Sequence, residues 1–192
     1  SVEFAKKYNI QLHVRSSFED KSGTTVMSQE DLMEKFVVSG ITSKMDESKV
    51  TIRDIPDKPG VAAKIFRILG EHKIYVNMIV QTTGVNNKTT ISFTVLKSDL
   101  SKTIELCKNI NSELKASEID GDDNIAIVSA VGVGMLSSYG VAGKIFELLS
   151  NENINIEMIS TSEIRISCVI DPLYVELASK ILHKEFIESE NI

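Results

Sequence analysis

Asp57-Lys58-Pro59-Gly60-Val61-Ala62 puts a carboxylate, a fixed turn and a bare backbone at the start of a helical pattern. Pro59 fixes φ and Gly60 frees it, so residues 56–60 read as a turn. The first N–H groups of a helix have no partner inside it, and the helix dipole is positive there. Such an end attracts an anion, and Gly60 lets the anion approach the backbone closely. Asp57 aims a carboxylate at the same place. Sites for an ammonium and a carboxylate side by side describe an α-amino acid. A capped helix start, with Asp57 as a turn residue, is the plainer reading of the same six residues.

Asn77 and Gln81 fall in the strand-like stretch after this helix, and Asn155, Glu157, Thr161, Ser162 and Glu163 fall in a matching stretch further on. Polar side chains at strand ends either complete a pocket or simply meet solvent. Other patterns promise less. In GVGMLSS (132–138), Ser137 stands where the third glycine of a dinucleotide loop belongs. In EIDGDDN (118–124), a calcium loop counted from Asp120 needs Gly at its sixth position and Glu at its twelfth, where Ile125 and Val131 stand. His13, His72 and His183 are scattered, with no nucleophile or carboxylate arranged around them in sequence. Cys107 and Cys168 have no metal spacing and read as buried, reduced thiols of a cytosolic protein. The sequence offers no complete catalytic set and no metal set.

The elements that position these residues are written twice. GVAAKIFRILGEHKIYVNMI (60–79) and GVAGKIFELLSNENINIEMI (140–159) share ten of twenty aligned positions, among them Gly60/Gly140, Ile65/Ile145, Phe66/Phe146 and Met78/Met158. A period of 80 residues is too long for a solenoid repeat and suits a small domain present twice. Two like modules make a pseudo-twofold interface, a setting that binds and senses more often than it catalyses.

Periodicity supplies the rest. Residues 1–8 read as the end of a helix, 11–18 as a strand and EDKSGTTV as a polar loop. Residues 28–36 read as a short helix with Ser28 as N-cap, Asp31 standing in place of the usual Glu, and 36–46 as a β-branched strand. Residues 49–55 alternate, with Val50 and Ile52 inward. Ala62, Ile65, Phe66 and Leu69 fall at i, i+3, i+4 and i+7 of a helix. Residues 75–83 and 89–96 form a hairpin, 100–114 a helix and 115–120 a strand. This β-α-β-β-α-β order is the ferredoxin-like plan, of α+β class. The second copy runs strand 124–134, a helix from 140, strands 154–160 and 164–170 and helix 173–186, and stops one strand short. An unfinished sheet exposes an edge and half a core. The spare strand 36–44 is expected to complete it, so that the first module is inserted in the second.

A chain of 192 residues with 42% hydrophobic and 25% charged content is an ordinary globular composition that can bury a core. A net charge of −6 argues against a nucleic-acid partner. No apolar run approaches the roughly 20 residues of a membrane span, and no signal peptide is visible. The chain opens on Ser1 inside an amphipathic pattern, which reads as a piece of a longer protein.

KVTIRDIPDKPGVAAKIF, NMIVQ, TTISFTV, VSAVGVGM, GVAGKIFELL, INIEMISTSEIRIS and ASKILHKEF together resemble the regulatory region of the aspartate kinase family, built from two ACT domains. FAKKYNIQLHVRSSF with SGTTV resembles the last helix and strand of that family's kinase domain. The resemblance covers essentially the whole chain. It implies domains at 1–27 (the C-terminal end of the kinase domain), 49–122 (first ACT domain) and 36–48 with 123–192 (second ACT domain). It implies a parent that phosphorylates the side-chain carboxylate of aspartate with ATP, and an ACT pair that binds lysine, threonine or both and inhibits. The effector residues it implies are Asp57, Gly60, Val61, Ala62 and Gln81, with Val141, Asn155, Ile156, Thr161 and Ser162 from the second module. Asn77 joins them from its strand position alone. ATP and magnesium would belong to the kinase domain, with no catalytic residue and no cofactor here. A homodimer through the ACT domains, contact with the kinase domain and a cytoplasmic location are expected. The alternative is a stand-alone sensor or separately translated regulatory subunit. A regulatory tail of another biosynthetic enzyme is disfavoured by the kinase-like opening.

Overall fold

Val50 and Ile52 are fully buried in a hydrophobic core, while Lys49, Thr51 and Arg53 line a cleft on the opposite side, and this alternation gives the central strand of the first module its two faces. The computed structural model describes residues 2–8, 10, 12–18, 23–26, 37–84, 86–136 and 139–188. Within them a short opening unit has helix α1 (Val2–Tyr8) and the paired strands β1 (Leu12–Val14) and β2 (Thr24–Val26). The first module comprises β4 (Glu47–Pro56), α2 (Val61–Glu71), β5 (Val76–Thr83), β6 (Lys88–Leu96), α3 (Leu100–Asn109), α4 (Asn111–Leu114) and β7 (Glu118–Asp122). The second has β3 (Gly40–Lys44), β8 (Ala126–Val131), α5 (Val141–Asn151), β9 (Met158–Ser162), β10 (Arg165–Ile170) and α6 (Val175–His183).

Two antiparallel four-stranded sheets result, in the orders β5-β6-β4-β7 and β3-β8-β10-β9. β3 pairs with β8, from Gly40 opposite Val131 to Lys44 opposite Ile127. The next strand, β4, lies in the other sheet, so the first module is inserted in the second.

Helices cover one face of each sheet. In α2, Val61, Ile65 and Leu69 are buried against Val50, Ile52, Ile91 and Phe93. Fully burying one such aliphatic side chain contributes about 1.5–3 kcal/mol. Phe66 meets the edge of Phe93 with ring centroids 5.5 Å apart. Ile145 and Leu149 repeat this on the second sheet with Val128, Ile166 and Cys168. The uncovered faces turn toward each other. Met78 and Val80 pack with Ile125, Ile127, Met158 and Val169, and Lys49 forms an ion pair with Glu157 beside a cleft of about 560 Å³.

Several boundaries differ from those the sequence suggests. Thr24–Val26, expected within a polar loop, is a strand because its backbone pairs with Leu12–Val14. The strand expected over 36–46 is confined to Gly40–Lys44, and the expected helix over 28–36 lies outside the described residues. Helix 100–114 is broken at Ile110 (φ −96°, ψ 7°). Asn155 and Glu157 precede β9 and Glu163 lies in the turn after it, because pairing with β10 begins only at Met158. Among the described residues no helix is long and apolar enough to cross a membrane.

Candidate functional site

β4 does not run straight into the Asp57 turn. Its register with β6 shifts between Ile52 and Ile55, and Asp54 takes φ 56°. Such a bulge bends a strand and re-aims the residues beyond it. Ser117 fixes it, its hydroxyl donating to Asp54 Oδ2 at 2.7 Å and its N–H to Arg53 O at 3.1 Å. The strand then delivers Pro56–Gly60 to the N-terminus of α2.

Gly60 caps α2 with φ 94°, a left-handed conformation that costs glycine nothing. No side chain caps the helix. The helical bonding starts at Lys64 N–H to Gly60 O, 3.1 Å, so the N–H groups of Ala62 and Ala63 have no helical acceptor. A Cβ on Gly60 would meet nothing within 4 Å, so the space over the helix end is open. The concavity there measures about 390 Å³ and is lined by Asp57, Gly60, Val61, Ala62 and Gln81 together with Pro56, Lys58, Pro59, Thr89 and Ile91. Gln81 stands opposite Ile91 in the β5–β6 pairing and closes the far side. Thr89 is buried, its hydroxyl donating to Thr82 O at 2.7 Å.

Chemically the site offers one carboxylate, one lysine ammonium, unpaired helix N–H groups and one carboxamide. This set can hold a small zwitterion. Among the described residues no group of three or more His, Cys, Asp or Glu could hold a metal. Cys107 and Cys168 are free thiols in the two cores, where burial pushes them up to about 11 and about 12.

The other predicted residues lie elsewhere in the chain. Asn77 is on β5 outside the concavity, its amide donating to Glu47 Oε1 at 2.6 Å. Val141 is buried at the start of α5. Asn155 and Ile156 line a separate shallow hollow of about 450 Å³ with Phe146, Ser150 and Asn153. Thr161 and Ser162 are exposed on β9, a sheet edge. The second copy also keeps its bare helix start, with Gly140 at φ 90° and no side-chain cap, while Ser137 and Ser138 lie outside the described residues. Thr89 and Ile91 escape a reading of the sequence alone. The register of the hairpin, with Gln81 opposite Ile91, is the signal that identifies them.

The ACT domain is the family whose sequence pattern matches this chain, over residues 53–109 and 128–186. The aspartate kinase of Stutzerimonas stutzeri is 47% identical over 187 residues, which are 97% of this chain and 45% of that protein. The chain thus spans under half the length of that curated relative. A crystal structure of aspartokinase alpha and beta subunits superposes with TM-score 0.72 at 46% identity, over 78% of this chain and 98% of that one. The ligand-free regulatory subunit of aspartate kinase from Thermus thermophilus superposes with TM-score 0.73 at 37% identity, over 78% of this chain and 99% of that one. Two matched ACT segments, one in each sheet module, and relatives of this kind across nearly the whole chain lead to one assignment: the chain belongs to the aspartokinase family, as a regulatory region built of two ACT domains.

Proposed function

We propose that this chain senses lysine, threonine or both and so controls an aspartate kinase by feedback. The parent activity is ATP-dependent phosphorylation of the aspartate side-chain carboxylate, the first step toward lysine, threonine and methionine. The observation that carries the reading is the convergence of Asp57, Gly60, Val61, Ala62 and Gln81 on one concavity at a bare helix N-terminus. The N–H groups of Ala62 and Ala63 take the effector carboxylate, Asp57 takes its ammonium and Gln81 reads its side chain.

A second copy supplies the rest of the site: Val141, Asn155, Ile156, Thr161 and Ser162. β5 and β9 are both edge strands, and two self-similar modules favour a closed dimer. The effector bridges two copies and stabilises the arrangement it binds better, which shifts the population toward the inhibited state. ATP, magnesium and the catalytic groups belong to the kinase domain, to which residues 1–27 are the exit. The setting is cytoplasmic, without nucleic acid or membrane. A second reading, a separately translated regulatory subunit, is favoured by the match to a regulatory subunit along 99% of its chain.

Calorimetry on the chain with L-threonine and with L-lysine tests the proposal. A Kd between about 1 μM and 1 mM is expected for at least one of them. Asp57→Ala and Gln81→Ala are expected to weaken it about tenfold or more, with the thermal midpoint unchanged. No heat with either amino acid, from a chain shown to be dimeric, overturns it.

A further inference from the structure

Glu47 is the one buried charged residue among the described residues, 1% exposed. A carboxylate leaves water only when it is paired and hydrogen-bonded. Glu47 Oε1 accepts from Asn77 Nδ2 at 2.6 Å and from Lys44 Nζ at 3.1 Å. These partners lie on different units. Lys44 ends β3 of the second sheet, Glu47 begins β4 of the first, and Asn77 belongs to β5, the strand that carries Gln81.

Asn77 sits where β5 is irregular. Val76 pairs with Val95 and Ile79 with Phe93, so β5 takes three steps while β6 takes two. One extra residue is accommodated, and Met78 N–H turns to the Thr94 hydroxyl at 3.3 Å. Side chains alternate along a strand, so one inserted residue reverses the face of everything after it. The bulge therefore decides which face Gln81 takes: it lines the concavity, while Val80 and Thr82 line the cleft between the modules. The repeat has no such shift, since β9 pairs with β10 in unbroken register from Met158 to Ser162. Glu157, aligned with Asn77, pairs with Lys49 two residues along β4.

We infer that Glu47 is a positioning residue for the effector site: its carboxylate pins the Asn77 bulge, and the bulge presents Gln81 to the concavity. This rests on the effector reading above. Through Lys44 the same oxygen also ties the pocket strand to the edge of the second sheet.

Reciprocal substitution in the full chain tests it. Asn77→Asp sets two carboxylates against each other. Glu47→Gln with Asn77→Asp restores one carboxylate and one amide in exchanged places. Asn77→Ala removes the donor without adding charge and serves if Asn77→Asp does not fold. NMR reports the cross-strand contact between Gln81 and Ile91, and calorimetry reports affinity for L-threonine and L-lysine. Each single Asn77 variant is expected to lose the contact and about tenfold or more in affinity, and the double variant to regain the contact and come within about threefold of wild type. A contact that persists in the single Asn77 variants overturns the inference, as does a double variant that recovers neither contact nor affinity. A wild-type chain that binds neither amino acid would sink the effector reading alone, because the NMR contact still decides what Glu47 positions.

Discussion

The backbone N–H of Asp57 donates to the carbonyl oxygen of Asn87 at 2.8 Å. The turn before α2 and the tip of the β5–β6 hairpin are therefore one unit, although thirty residues of chain separate them. Asn86 and Asn87 hold it by taking φ 61° and 54°, which asparagine tolerates better than most residues. Asn87→Gly is expected to leave folding and ligand affinity near wild type. Asn87→Val is expected to cost about 1–2 kcal/mol in urea unfolding, since a β-branched residue is poorly suited to that region, and to weaken amino-acid binding as the Asp57 turn loses its tether. Equal affinities for the two variants would detach the hairpin from the site.

Gly60 and Gly140 invite a matched comparison. Their φ values are 94° and 90°, and a Cβ on either meets nothing within 4 Å. Alanine at either position is therefore strained without being crowded, and each change is expected to cost about 1–2 kcal/mol. Only Gly60 lies in the concavity with Asp57. Calorimetry is thus expected to show lost amino-acid binding for Gly60→Ala beyond what its stability explains, while Gly140→Ala has the milder effect. The opposite ranking would move the effector to the second copy.

Much of the fold is readable from residue spacing. Ile65, Phe66 and Leu69 announce the buried side of α2 because helical period and apolar type coincide. The place of 36–44 comes from counting strands, since a sheet short of one strand leaves its core open. Asp57 and Gly60 are visible as a pair because both lie within one turn. The far wall is not, since which β6 residue meets Gln81 depends on the extra residue between Val76 and Ile79. The role of Asn77 is hidden for a similar reason. Its position on a strand suggests the pocket and says nothing of Glu47, thirty residues earlier and buried beneath it. Thr24–Val26 hides as a strand because three residues are too few to show alternation.

The thiols predict the alkaline limit of the fold. Cys107 and Cys168 are raised by burial to about 11 and about 12 from the ordinary 9.0. A folded-state value above the unfolded one means stability that is complete below pH 9 and falls as pH rises through the folded values. Above the unfolded value each thiol removes up to about 1.4 kcal/mol per pH unit. Urea midpoints at about pH 8 and about pH 10 should therefore diverge more for wild type than for the Cys107→Ala, Cys168→Ala double variant. Parallel declines would assign alkaline unfolding to other groups.

Gly132 and Gly121 both exclude a side chain, for reasons of different stiffness. A Cβ on Gly132 would lie 2.3 Å from Val37 O, 2.7 Å from Val38 Cα and 3.0 Å from Ser39 N. All three are backbone atoms, and Ser39 N–H is bonded to Val131 O at 2.8 Å while Gly132 N–H is bonded to Ile164 O at 2.9 Å. Nothing there can step aside without disturbing the approach of the chain to β3. On Gly121 a Cβ would meet Ile104 Cδ1 at 2.5 Å and Leu100 Cδ1 at 2.9 Å, the movable tips of two α3 side chains. Gly121→Ala is therefore expected within the about 1–3 kcal/mol of ordinary overpacking, and Gly132→Ala beyond it. The damage should also be local. Hydrogen exchange on Gly132→Ala is expected to show lost protection in β3 and β8 with β4 to β7 retained, because β3 is the strand that completes the second sheet. Uniform loss across both sheets would mean that the inserted module cannot hold its own fold once the outer sheet opens.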